Sequence, residues 1–147
     1  MIGDLTDNGT VFIYSFDGIN WIEKQKLSIP IPANKIPGPD PTISFGYSVA
    51  IKGDLIAIGA PTETSLTNTD EVGAVYLYKL LNDIAVLDTK IYADTMTDSM
   101  FFTKSVAISN NTIMAGSRFE EDINNIQTGS VKVIESDLIY KNSFEVN

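Results

Sequence analysis

Two stretches of the chain repeat each other at a fixed spacing, and that spacing constrains the fold more than any single residue does. Phe45-Gly46-Tyr47-Ser48-Val49-Ala50-Ile51 runs through a short turn into Leu55-Ile56-Ala57-Ile58-Gly59-Ala60-Pro61. Phe102-Thr103-Lys104-Ser105-Val106-Ala107-Ile108 runs through a turn into Thr112-Ile113-Met114-Ala115-Gly116-Ser117-Arg118. A further segment follows each copy: Val72-Gly73-Ala74-Val75-Tyr76-Leu77-Tyr78, then Thr128-Gly129-Ser130-Val131-Lys132-Val133-Ile134. That segment also stands near the start, as Asn8-Gly9-Thr10-Val11-Phe12-Ile13-Tyr14. Phe45 and Phe102 are 57 residues apart, and Gly73 and Gly129 are 56 apart. A period of this size is the mark of a repeat architecture.

Each repeat reads as four short strands. The first is Tyr47 to Ile51, matched by Lys104 to Ile108. The turns Lys52-Gly53-Asp54 and Ser109-Asn110-Asn111 carry the Gly and Asn that hairpins need for positive φ. The second strand, Leu55 to Gly59 or Thr112 to Gly116, is almost continuously apolar, as strands buried on both faces are. The third is Ala74 to Leu80, matched by Ser130 to Glu135. The fourth is Ile84 to Ile91, with a weaker counterpart in Asp137 to Val146. The N-terminal segment supplies a third strand (Thr10 to Phe16) and a fourth (Trp21 to Leu27) without a first or second. No stretch carries a sustained helical period. The expected class is all-β: a half unit over 1–28, a whole one over 45–91 and a degenerate one over 102–146. Val49, Ile51, Ile56, Ile58, Val75, Leu77, Val106, Ile108, Ile113 and Val133 are the expected core, with Tyr14, Trp21, Tyr76 and Tyr78 packing between units.

These residues resemble the FG-GAP repeat of integrin-alpha-like β-propellers. The resemblance rests on Phe45-Gly46, Ser48-Val49-Ala50, Gly59-Ala60-Pro61 and Gly73-Ala74-Val75-Tyr76, and it extends over nearly the whole chain. Trp21 and Lys24-Gln25-Lys26-Leu27 are similar to the fourth-strand segment of the bacterial-type version. The second copy is eroded: Phe102-Thr103 stands for Phe-Gly, and Gly116-Ser117-Arg118 for Gly-Ala-Pro, while Ser105 and Gly129 are kept. The resemblance implies a partial β-propeller in which each repeat forms one antiparallel four-stranded blade. It also suggests an extracellular or surface setting, although Met1-Ile2-Gly3-Asp4 shows neither the basic start nor the apolar core of a signal peptide. Many members carry an Asp-rich calcium loop between the first two strands. Here that loop offers one carboxylate, Asp54, where calcium takes six to eight oxygens, so no calcium or other cofactor is expected.

A propeller takes about four to eight blades. Two and a half cannot close a ring, so the chain reads as part of a longer propeller or a truncated paralogue, as one piece of an assembly of copies, or as an open stack with exposed edge strands.

Composition narrows the function. The chain has 147 residues, no Cys and no His, which removes disulfides, thiolate chemistry, the usual general base and the commonest metal ligand. A net charge of −9 argues against nucleic acid and anionic membrane as partners, and no apolar run is long enough to insert into a bilayer. No Ser is paired with a base, no Gly-rich loop precedes a helix, and no pair of carboxylates spans a cleft, so no catalytic site is expected.

The charge is unevenly placed. The loops between second and third strands hold Asp4 and Asp7, then Glu63, Asp70 and Glu71, then Glu120, Glu121 and Asp122. With the connectors between units, this rim holds 11 acids against Lys35 and Arg118, whereas 8 acids and 8 lysines stand elsewhere. The acidic rim is the candidate binding surface, for a basic protein or a divalent cation. The connector Ile29 to Ser44 holds five of the six prolines and would be a stiff recognition loop. Asn8-Gly9-Thr10 and Asn110-Asn111-Thr112 match the N-glycosylation pattern. The leading expectation is a non-catalytic protein-interaction module, binding another protein or itself. The alternatives are a degenerate paralogue with only a structural role, and an accessory segment beside an enzyme domain.

Overall fold

The structure is a computed structural model and describes residues 2–4, 9–29, 44–63, 72–92, 102–117 and 128–135. All the regular elements among them are strands. The first sheet holds β1 (Ile2–Asp4), β2 (Thr10–Phe16) and β3 (Trp21–Leu27) in that order. The central sheet runs β4 (Ser48–Lys52), β5 (Leu55–Ala60), β6 (Ala74–Leu81) and β7 (Ile84–Tyr92). The third holds β8 (Ser105–Ser109), β9 (Thr112–Ser117) and β10 (Ser130–Glu135). Every pairing is antiparallel.

The three sheets share one register. Gly59 pairs with Val75 in the central sheet and Gly116 pairs with Val131 in the third. Gly3 pairs with Val11 in the first, so Ile2-Gly3-Asp4 is the end of a second strand and aligns with Ile58-Gly59-Ala60. This corrects the half unit of two strands: the first sheet has three. Other boundaries move by one residue: Tyr47 and Lys104 precede their strands, and β5, β6, β7 and β9 each run one residue further. The expected last strand at 137–146 lies outside the described residues.

Alternation along the central sheet sends its side chains to two separate cores. Ile56, Ile58 and Ala60 of β5, with Ala74, Tyr76 and Tyr78 of β6, pack against Val11, Ile13 and Leu27 of the first sheet. Ala57 of β5, with Val75 and Leu77 of β6, packs against Ile113, Ala115 and Ile134 of the third. A strand with both faces covered has no polar face, which is why β5 reads as an unbroken apolar run. Each sheet thus has a front, facing the preceding sheet, and a back, facing the next.

Two expected core residues are exposed. Ile51 is 52% exposed and Val133 58%. Ile51 sits beside the β4–β5 turn, beyond the reach of the neighbouring sheet. Val133 lies on the back of the third sheet, a face that no sheet among the described residues covers. Trp21, expected between units, is 70% exposed: it stands beside Phe16 on the front of the first sheet, which no sheet among the described residues covers, with ring centroids 5.2 Å apart.

β4 lies against β8, whereas β3 and β7 meet at few points. Where they do meet, Gln25 acts as a clasp. Its amide donates to the Ala85 carbonyl at 3.1 Å and its Oε1 accepts the Ala85 N–H at 2.7 Å.

Candidate functional site

The repeat motif builds the joints between sheets. Phe45 is fully buried, with Tyr76 edge-on at 5.1 Å and Tyr78 at 6.5 Å. The Gly46 N–H donates to the Gly59 carbonyl at 3.1 Å, and in the next repeat the Thr103 N–H donates to the Gly116 carbonyl at 2.9 Å. Ser48 Oγ donates to the Thr103 carbonyl at 2.7 Å, tying the central sheet to the third. A Cβ on Gly59 would overlap Ser48 Oγ and the Thr103 carbonyl, so Ser48 and Gly59 form one close-packed joint. In the next repeat a Cβ on Gly116 would sit 2.5 Å from Ser105 Oγ.

Gly9 and Gly73 form the second kind of joint. Both hold positive φ, +85° and +78°. A Cβ on Gly9 would overlap the Phe45 carbonyl, and one on Gly73 would lie 2.5 Å from the Phe102 carbonyl. The glycine before each third strand is therefore fitted to the backbone of the Phe that opens the next repeat. Gly129 holds the same conformation at φ +67°.

The eroded copy shows its substitutions physically. Thr103 stands where the first copy has Gly46, and it keeps a left-handed φ of +77°. A β-branched residue is costly there. The cost is offset by full burial and by Oγ1 donating to the Ala74 carbonyl at 3.1 Å. Ser117 replaces the Ala of the first copy, and its buried Oγ has no hydrogen-bond partner among the described residues.

The acidic rim divides into residues that the structure describes and residues that it does not. Asp7, Asp70, Glu71, Glu120, Glu121 and Asp122 lie outside the described residues. The Asp4 backbone pairs with Thr10 at the end of β1. Glu63 is not a solvent-facing carboxylate, which corrects its place on the rim. Its side chain is 4% exposed and lies 3.1 Å from Lys90 Nζ, and its Oε2 accepts the Tyr76 hydroxyl at 2.8 Å. Lys90 is held in turn between the rings of Tyr76 and Tyr92, 4.7 Å from each centroid. Burial, then the Glu63 charge and hydrogen bond, drive the Tyr76 hydroxyl far above its ordinary value of 10.0. The Glu63 carbonyl also accepts the N–H groups of Val72 and Gly73, at 3.0 and 2.9 Å. Glu63 thus fastens together the two ends of the loop that separates β5 from β6. A lone acid in a polar loop gave no sign of this role; the signal was Lys90 in a strand beside two tyrosines.

Strand direction puts the anchors of the acidic loops at one end of the sheets. Ser48 pairs with Gly59, and Ala74 pairs with both Ala60 and Tyr92. Asp4 and Thr10 pair at the corresponding end of the first sheet, where Leu27 also terminates. At the opposite end, the turn tips enclose a shallow cleft of about 310 Å³ lined by Lys52, Gly53, Asp54, Leu55, Lys79, Asn110 and Asn111. Lys52 Nζ reaches Asn110 Oδ1 across it at 3.4 Å.

A family model, the FG-GAP repeat, matches residues 41–78. The match takes in Phe45, Gly46, Ser48, Gly59 and Gly73, which form the joints described above, together with Ala60 and Pro61. A search of curated proteins found no match. The chain therefore carries an FG-GAP repeat in its central sheet, with sheets of the same register on either side.

Proposed function

We propose that the chain is a non-catalytic β-propeller module for protein interaction, part of a larger or oligomeric propeller, and that its acidic loops recognise a basic protein surface. The observation that carries this reading is the common end at which the strands deliver those loops. Loops gathered on one edge of a rigid scaffold are the usual place for recognition. The sequence of the loops and connectors that leave that end holds eleven acids against two bases, and the rest of the chain is evenly balanced, which would give the surface its sign. Burial of Glu63 against Lys90 removes one acid from the exposed charge and leaves the imbalance in place.

Like charges gathered on one edge repel each other, so solubility alone would be served as well by spreading them. Attraction to a basic partner would be long-ranged and screened beyond roughly 8–10 Å at physiological salt. The test is binding of a basic protein partner, isolated by affinity capture, to the wild-type chain and to a Glu120→Ser, Glu121→Ser, Asp122→Asn variant. Affinity is expected to fall at least tenfold in the variant and steeply in half-molar salt, chiefly through the association rate. Binding indifferent to both would leave the rim as solvated surface.

A further inference from the structure

Among the described residues no sheet covers the front of the first sheet or the back of the third, and the internal packing of the chain shows what covers such a face. Register makes Val131, Val133 and Met114 of the third sheet equivalent to Val75, Leu77 and Ala57 of the central sheet. In the central sheet all three are 0% exposed, because the front of the third sheet lies on them. In the third sheet the same positions are 63%, 58% and 38% exposed.

The front of the first sheet has the matching deficit. Phe12, Tyr14 and Phe16 align with Tyr76, Tyr78 and Leu80, whose two tyrosines are buried by the back of the first sheet. The detail is shared down to the cation: Lys26 pairs with Phe12 and sits 5.7 Å over its ring, as Lys90 pairs with Tyr76 and sits 4.7 Å over its ring. Phe16 and Trp21 extend this front as an exposed aromatic pair.

We infer that a second copy of this chain covers both faces, the back of the third sheet in one copy packing on the front of the first sheet in the other. Each face is then offered the kind of surface that already covers its equivalent inside the chain. Contacts of this kind join different surfaces, so they either close into a ring or continue indefinitely. Two copies of the three described sheets give six, within the roughly four to eight that a propeller ring accommodates, whereas three copies would exceed it. The inference does not depend on the acidic loops.

The test uses the full chain and two double variants at exposed positions. Val131→Lys with Val133→Lys spoils the back, and Phe16→Lys with Trp21→Lys spoils the front. Light scattering on the wild type at tens of micromolar is expected to give twice the 16.1 kDa of one chain. Each double variant is expected to give a single-chain mass, its association weakened on the order of 100-fold or more by charges forced into an apolar contact. Circular dichroism and a cooperative urea transition establish that both variants are folded. An equimolar mixture of the two is expected to recover a two-chain mass, because each supplies the face that the other lacks. Half-molar salt and the Glu120, Glu121, Asp122 variant should leave the pairing unchanged, which separates it from recognition by the loops. A single-chain mass for the wild type, an open-ended ladder of masses, or a mixture that stays monomeric would each overturn the inference. So would loss of association in only one of the two variants, the sign of like faces meeting.

Discussion

Tyr76 and Tyr78 make the chain's stability sensitive to alkali. The folded Tyr76 hydroxyl holds its proton far above 10.0, and burial raises Tyr78 as well. The unfolded chain ionises both near 10.0, so above that pH it binds fewer protons than the folded chain. Stability is therefore full below pH 10 and falls as pH rises through it. Urea midpoints measured from pH 8 to 11 should show this decline, and it should be shallower in Tyr78→Phe, which removes one titrating group. Glu63→Gln should cost about 2–3 kcal/mol at pH 7, since it strands Lys90 between two rings and weakens the bond to Tyr76. Gly73→Ala should cost about 2–4 kcal/mol, combining a left-handed φ with a Cβ pressed on the Phe102 carbonyl. Ser117→Ala should instead stabilise the fold by about 1 kcal/mol, because it removes a buried hydroxyl that has no partner among the described residues. Denaturant titrations of the three variants would read each sign directly. The sequence made the glycines legible as close-approach positions because they recur. It concealed Glu63, because a carboxylate in a loop looks the same whether it faces water or a buried lysine.

At the level of elements, legibility follows how regular the alternation is. Second and third strands read clearly, since β5 and β6 have both faces covered and carry apolar residues throughout. Fourth strands read poorly, and the ladder shows why. In the first sheet the register shifts between Ile13 and Tyr14, skipping Lys24, and in the central sheet it shifts between Leu77 and Tyr78, skipping Asp88. One extra residue reverses which side chains face the core, so a strict two-residue period cannot run the length of the strand. The short β1 was missed because three residues are too few for any periodic signal, although Ile2-Gly3 matched Ile58-Gly59. Core depth also depends on position within a strand. Ile58→Ser should cost about 3 kcal/mol or more, whereas Ile51→Ser beside the turn should cost under about 1 kcal/mol. A thermal melt of both variants would separate the two sites.

Across the whole molecule, stability should be graded from the centre outward. The central sheet is covered on both faces and the outer two on one each. In repeat proteins, stability is close to a sum of unit and neighbour terms. Amide exchange should therefore be slowest in β5 and β6, and faster in β3 and β10 of the outer sheets. Uniform protection over all three sheets would contradict this grading. The recurring extra residue in the fourth strands has a consequence for curvature. Lys24 and Asp88 add a residue to the fourth strands of the first and central sheets, giving those two layers a longer contour along that strand. A layer longer at one margin is a keystone, and the taper of keystones decides how many complete an arch. Removing Asp88 would take the taper out of one layer, so the arch would open to a larger radius, a change that small-angle scattering would register as a longer maximum dimension at unchanged mass.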